Sequence, residues 1–392
     1  MGARRELGSR SEATADHVPG DRRHLPGARR LVVKVGSSLI TTPGIGVDAQ
    51  RVETLVADIA SIRADREVVL VTSGAIATGV ARLSLPERPR SIPEKQAAAA
   101  VGQSALMWLY EAAFKRHAIA IGQVLLTAQD ISDRTRYLNA RNTLLALLRF
   151  QVLPIVNEND TVAIEEIKLG DNDNLSALVA SLIDADLLVL LTDIDGLYTD
   201  DPAANPDARK LDTVPAVTAD IERLVWTRGS EGGVGGMATK LQAAQKAAAA
   251  GVPMVIGSGR EAGVLPRILA GEPLGTYFAP KGDRLTARKR WIAFAVPPQG
   301  RLTVDAGALS ALTRHGKSLL PSGLVNVEGT FAAGEVVAVH GQPDGKEFAR
   351  GLVNFDADEL VRLRGAKSHE IEARLGYRGV DEVIHRDNLV VL

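Results

Sequence analysis

The chain contains no cysteine in 392 residues. That absence excludes disulfide cross-links, thiolate metal sites and a cysteine nucleophile, and it fits a reducing compartment. No window approaches eighteen uninterrupted apolar residues, so a transmembrane helix is excluded on length and a soluble, cytoplasmic protein is expected. The pair Arg29 and Arg30 stands before an apolar run, but Lys34 and Gly36 interrupt that run too early for an export signal. Charge of one sign is missing too: the formal net charge is −1, which supplies no whole-molecule field to hold a nucleic acid or an anionic membrane surface.

What the chain does have is 45% hydrophobic residues, enough at this length for two cores. Residues 1–28 are rich in Arg, Glu, Asp, Gly and Ser without apolar periodicity, and read as a disordered leader. From Leu31 short apolar runs alternate with amphipathic stretches. The expected strands are Leu31–Val35, Val68–Thr72, Ile119–Leu126, Val152–Val156, Leu187–Leu191 and Val252–Ile256. Asp48–Ala64, Pro93–His117, Arg136–Phe150, Asn174–Ile183 and Lys240–Ala250 are the expected helices. This alternation predicts an α/β domain over 29–280, an open, mostly parallel sheet sandwiched by helices, with ligands at the edge where the chain leaves strands for helices. Residues 281–290 are crowded with charge and read as a linker. Over 291–392 strand-like runs at Leu324–Val327, Glu335–Val339, Phe348–Val353 and Glu382–His385, with short helices near Asp356–Leu363 and Ser368–Leu375, predict a small, mainly β domain.

Four glycine-rich or polar clusters fall at strand ends: Lys34 to Ser38, Thr72 to Ala75, Gly170 to Asn174, and Gly232 to Lys240. Glycine lets backbone N–H groups approach a polyphosphate, and a following helix N-terminus adds its positive end. Each cluster alone also reads as a plain turn; together they point to phosphate. None is a Walker A loop, because Lys34 precedes its glycine and Lys240 is followed by Leu241. Gly257, Gly259 and Ala262 match a dinucleotide fingerprint, with Asp283 further on, but no second βαβ half follows to hold the other nucleotide. Asn157, Glu158, Asn159 and Asp160 leave an apolar run together. They suit an Asx-type turn or the capture of an amino acid's charged groups. Thr192 and Asp193, ahead of an Asp195-Gly196 turn, stand where a nucleotide would lie.

These clusters, in this order, resemble the amino-acid kinase family. The phrases carrying the likeness are those around Lys34 and Gly36, Ser73, Asn157 to Asp160, Asp171 to Asn174, and Gly236 to Lys240. The tail resembles a PUA domain through the phrases around Asp305, Pro321, Arg350 and His385. The likeness runs from Arg29 to the C-terminus. It implies ATP and Mg²⁺ as cofactors and phosphoryl transfer to L-glutamate's side-chain carboxylate, the opening step of proline biosynthesis. N-acetylglutamate, aspartate, carbamate and nucleoside monophosphates are the acceptors of related kinases. By the same resemblance Lys34 and Lys240 contact the transferring phosphate, and Asp173 orients both. Ser73, Asp160 and Asn172 hold glutamate. Thr192 and Asp193 hold the nucleotide, and Val234, Gly235, Gly236, Met237, Ala238, Thr239 and Lys240 wrap its phosphates. No protein ligand to Mg²⁺ is expected. Proline as feedback inhibitor, a homo-oligomer (dimer or tetramer) and transfer of the product to a glutamyl-phosphate reductase are further implications.

The chemistry agrees with those roles. A glutamate side chain with a pKa near 4.3 is already an anion at neutral pH, so no catalytic base is needed, and no histidine is assigned one. The reaction needs cations that cancel repulsion between an anionic nucleophile and a triphosphate. PUA-like domains are often RNA-binding modules, yet residues 291–392 carry 11 Lys/Arg against 13 Asp/Glu, not the basic excess of a nucleic-acid surface.

Overall fold

In the computed structural model the described residues are 22–42, 45–162, 172–202, 204–224, 236–281, 289, 291–377 and 380–392. A larger sheet of eight strands contains β1 (Arg30–Val35), β4 (Glu67–Val71), β5 (Ile121–Leu126), β6 (Leu153–Glu158), β7 (Leu187–Thr192), β8 (Thr213–Val214), β9 (Met254–Ser258) and β10 (Thr276–Phe278). Their order is β5-β6-β4-β1-β7-β9-β10-β8. All pairings are parallel except that of β10 with β9. A two-stranded hairpin, β2 (Thr41–Thr42) with β3 (Gly46–Val47), stands apart.

Helices α2 (Ala49–Ile62), α4 (Ile92–Lys115) and α10 (Val264–Leu269) share a core cluster with one face of the sheet; α6 (Arg134–Arg149), α7 (Asn172–Leu182) and α9 (Met237–Ala249) share one with the other. The remaining helices here are α1 (Ser37–Ile40), α3 (Ala75–Arg82), α5 (Ala128–Ser132) and α8 (Ala219–Arg223). Alternation along a strand decides which face each side chain meets: Leu31, Val33 and Val35 join the α2 and α4 side, Val32 the α7 side. With both faces covered, the central strands must be apolar throughout, which is why they were conspicuous as unbroken runs. Helix α7 is buried on all sides from Asp173 to Leu182.

Helices α3 and α4 cross at glycines. A Cβ on Gly102 would lie 1.8 Å from the Ala75 carbonyl oxygen, and one on Gly79 would lie 1.8 Å from that of Ala98. Backbone cannot yield there as a side-chain tip would. Gly102→Ala is therefore expected to destabilise the fold by about 3 kcal/mol, read as a lowered calorimetric Tm. An unchanged Tm would show that the helices do not pack this tightly. The Ala97–Leu109 stretch thus serves this crossing and the core, through Ala98, Ala99, Ala105 and Leu106, while Trp108 faces solvent.

The second sheet holds β11 (Gly300–Val304), β12 (Leu324–Gly329), β13 (Val336–Gly341), β14 (Glu347–Leu352) and β15 (Leu389–Val391), in the order β12-β11-β13-β14-β15. It has its own core around Leu302, Val339 and Phe355. Val336, Leu352 and Val390 instead join Trp291 and Ile292 in the cluster that includes Ile131 and Tyr137, so the two sheets are packed together through that segment.

Three expectations need correction. Residues 22–28 do not belong to an unstructured leader: Arg22–Gly27 form a 3-10 turn with Leu25 fully buried, and Ala28 is buried after it. The Arg22 guanidinium donates to the carbonyls of Asp212, Glu272, Leu274 and Gly275. Glu382–His385 is not a strand but a single bridge, Leu319 to Ile384. The tail also has a helix at Ala306–His315 and the strands β11 and β15, which sequence reading missed. Of the linker 281–290, residues 282–288 and 290 lie outside the described residues, as do leader residues 1–21.

Candidate active site

At the carboxyl edge of the sheet the same alternation that turns Val32 toward α7 turns Lys34 there as well. Lys34 is 4% exposed, and α7 begins at Asn172 and Asp173, the latter fully buried. Lys34 Nζ lies 2.6 Å from Asp173 Oδ1. Lys240, in the first turn of α9 and also buried, places its Nζ 3.1 Å from Oδ2. Thr239 Oγ1 is 3.1 Å from the same oxygen and 2.8 Å from the Gly236 carbonyl. One strand and two helices, distant in sequence, thereby put two ammonium groups on one carboxylate.

Burial by itself would push the Asp173 carboxyl up. The charges of Lys34 and Lys240 and their hydrogen bonds outweigh that and hold it below the ordinary carboxylate range. Asp173 is therefore ionised at neutral pH. The stability it supplies is present above the unfolded value of 3.8 and is lost as pH falls through the lower folded value. The trio keeps one net positive charge in a dry setting, which an anion beside it would offset.

A second cluster lies next to the first. Asn172 Nδ2 is 2.8 Å from the Thr72 carbonyl, 2.8 Å from Ser73 Oγ and 2.8 Å from Asn157 Oδ1. Asn157 in turn donates to Gln103 Oε1 at 2.8 Å. Below it, the Thr72 and Tyr110 hydroxyls are 2.9 Å apart, and burial pushes the Tyr110 phenol well above its usual range. Ser73 precedes Gly74, whose φ of +104° lets the chain turn directly into α3. Like α10 at Gly263, three helices beside these clusters open at glycine without a side-chain cap: α1 at Gly36, α3 at Gly74 and α9 at Gly236. Their first N–H groups are open to an anionic ligand.

The structure thus brings together Lys34, Asp173, Thr239 and Lys240, and separately Ser73, Asn172 and Asn157. Thr192 ends β7, the strand beside β1, and Asp193 follows it; Thr192 Oγ1 donates to Asp193 Oδ1 at 3.0 Å. The Gly36 N–H donates to the Leu191 carbonyl at 3.1 Å, which ties this strand end to the Lys34 turn. Asp160 sits in the turn after β6, two residues beyond Glu158. Gly236, Met237 and Ala238 open α9; Val234 and Gly235 lie outside the described residues. The dinucleotide-like Gly259 has a packing role, since a Cβ there would fall 2.3 Å from Leu39 Cδ1. Gln103 went unnoticed in sequence because a lone amide in an alanine-rich helix carries no motif; its signal is being polar on the face that carries the buried Ala99, Leu106 and Tyr110.

The model of the family described as "Amino acid kinase family" matches residues 29–258. The chain belongs to the amino acid kinase family. In this amino acid kinase the tail matches the PUA domain over residues 300–375. The chain is 52% identical over 366 residues to a protein named glutamate 5-kinase from Moorella thermoacetica, covering 93% of this chain and 97% of that one. With the protein of the same name from Citrifermentans bemidjiense it shares 51% over 365 residues, covering 93% and 98%. Both the open α/β sheet with its helices and the β-rich tail expected from sequence are borne out. Among the described residues of this amino acid kinase, no helix is long and apolar enough to cross a membrane, and no group of three His, Cys, Asp or Glu could hold a metal ion.

Proposed function

We propose that this amino acid kinase is a glutamate 5-kinase, transferring the γ-phosphoryl group of ATP to the side-chain carboxylate of L-glutamate in the first step of proline biosynthesis. The observation that carries the reading is the buried Lys34, Asp173 and Lys240 trio, in a chain about half identical, nearly end to end, to proteins of that name.

In this reading an oxygen of glutamate's γ-carboxylate attacks the γ-phosphorus in line, the bond to the β,γ-bridging oxygen breaks, and ADP leaves with that electron pair. The products are ADP and an acyl phosphate. The nucleophile is an anion already, so the chain must position and neutralise rather than deprotonate. Lys34 and Lys240 set their ammonium groups against the equatorial oxygens of the transferred group, and Asp173 keeps both in place through charge-assisted hydrogen bonds. Ser73, Asp160 and Asn172 hold glutamate; Thr192, Asp193 and the 234–240 turn hold the nucleotide. Magnesium suits this site only as a companion of the triphosphate. The described residues offer it no carboxylate cage, and Asp173 is committed to two lysines.

The proposal extends to a two-domain division at 281–290, a cytoplasmic location, homo-oligomeric assembly, proline inhibition by competition at the glutamate site, and passage of the product to a glutamyl-phosphate reductase. Purified protein with ATP, Mg²⁺ and hydroxylamine, offered glutamate, N-acetylglutamate, aspartate or UMP in parallel, tests the central claim. The expected outcome is hydroxamate and ADP with glutamate. Turnover with another acceptor alone would overturn the substrate, and none with any would overturn the activity.

A further inference from the structure

Gln103, on α4, lies outside every motif that marked the site, yet it ends a chain of three side-chain amides that starts beside the lysine trio. The polarity of that chain is dictated by backbone groups, which cannot reverse their roles. The Thr72 carbonyl can only accept, so the Asn172 atom 2.8 Å from it is the NH₂. The Glu158 N–H can only donate, and it donates to Asn157 at 2.9 Å, so that atom of Asn157 is the carbonyl oxygen. Asn157 must then present its NH₂ to Gln103, whose oxygen accepts at 2.8 Å. Every orientation follows.

Two atoms are left over at the ends of this chain. Gln103 Nε2, a donor, and Asn172 Oδ1, an acceptor, are both buried and have no hydrogen-bond partner among the described residues. A third group also has capacity to spare. The two hydrogens of Asn172 Nδ2 face three acceptors, and of these only the Ser73 hydroxyl can turn its proton and lone pairs elsewhere. A ligand that completes this set brings an acceptor to Gln103 and a donor to Asn172, which are the α-carboxylate and α-ammonium groups of an unmodified amino acid.

We propose that Gln103 is a substrate-binding residue that donates from Nε2 to the α-carboxylate of the acceptor, while Asn172 Oδ1 accepts from its α-ammonium. This inference rests on reading the acceptor as glutamate. It makes recognition of the amino-acid end a task of α4, and leaves the lysine trio to the γ-carboxylate end.

Gln103→Glu separates this role from a structural one. Glutamate at 103 keeps an oxygen to accept from Asn157 and replaces only the donor, now facing another carboxylate. The expected result is a glutamate KM raised on the order of 30-fold, with kcat within about threefold of wild type, and KM for ATP and Tm unchanged. A carboxyl buried beside a carboxylate has a raised pKa, and its protonated form regains an O–H donor. KM should therefore fall back toward wild type as the pH is lowered from about 8 to about 6. Should that variant not fold, Gln103→Met is expected to raise glutamate KM without any pH dependence. A glutamate KM within about threefold of wild type, or a loss confined to kcat, would overturn the assignment. Wild-type protein with no glutamate-dependent turnover would overturn the acceptor reading instead, before any variant is compared.

Discussion

Replacing Asp173 by asparagine is expected to lower kcat about 10³-fold, since removing one fixed electrostatic contact to a developing charge costs 10²–10³ and here two are released together. The substitution changes neither size nor shape, and the Thr239 hydroxyl can still reach the new side chain. What it removes is the one negative charge between two buried ammonium groups. Without it the lysines repel each other and their aim is lost. The protein should still fold with a lower Tm, because leaving a buried charge without its partner costs about 3–5 kcal/mol before relaxation. Steady-state kinetics beside calorimetry would decide the matter: a kcat within about threefold of wild type would remove Asp173 from the mechanism. Loss of activity with loss of fold would leave Asp173 a structural residue only.

The second large effect concerns the lysines themselves. Lys34→Ala and Lys240→Ala should each lower kcat by about 10²–10³, while glutamate KM moves only a few-fold. An interaction formed with charge that develops on the transferred group contributes little to holding the ground-state acceptor. Lys240→Arg should not restore the rate, because a forked guanidinium cannot take the place of a compact ammonium beside a carboxylate already shared with Lys34 and Thr239. If either alanine variant instead raised glutamate KM with kcat preserved, that lysine would belong to substrate binding.

The first cluster was legible in sequence, and of the amide chain Asn157 and Asn172 stood out while Gln103 and the links between the three did not. Lys34, Asp173 and Lys240 each sit in a short phrase with glycine or consecutive polar residues at the end of a strand or the start of a helix, where physical chemistry leaves few reasons for such composition. Gln103 meets Asn157 across α4 and β6, Tyr110 meets Thr72 across α4 and the end of β4, and a hydrogen bond between residues fifty-four apart, as between Gln103 and Asn157, leaves no trace in spacing. Gly102 and Gly79 were likewise silent, since a glycine required by a helix crossing resembles any other until the second helix is in place. The turn at Arg22–Gly27 was hidden for a related reason: a polar segment is held by one buried leucine and one arginine that reaches carbonyls from a loop some two hundred and fifty residues away.

The sequence by itself determined the alternation of strands and helices, the parallel sheet and the residue types at its carboxyl edge, because periodicity and turn chemistry are local properties. Only the tertiary structure decided that both lysines share Asp173, that α4 brings Gln103 to Asn157, and which amide ends remain to meet a ligand. Those are facts of distance and orientation, and they come into being when distant segments are packed against each other.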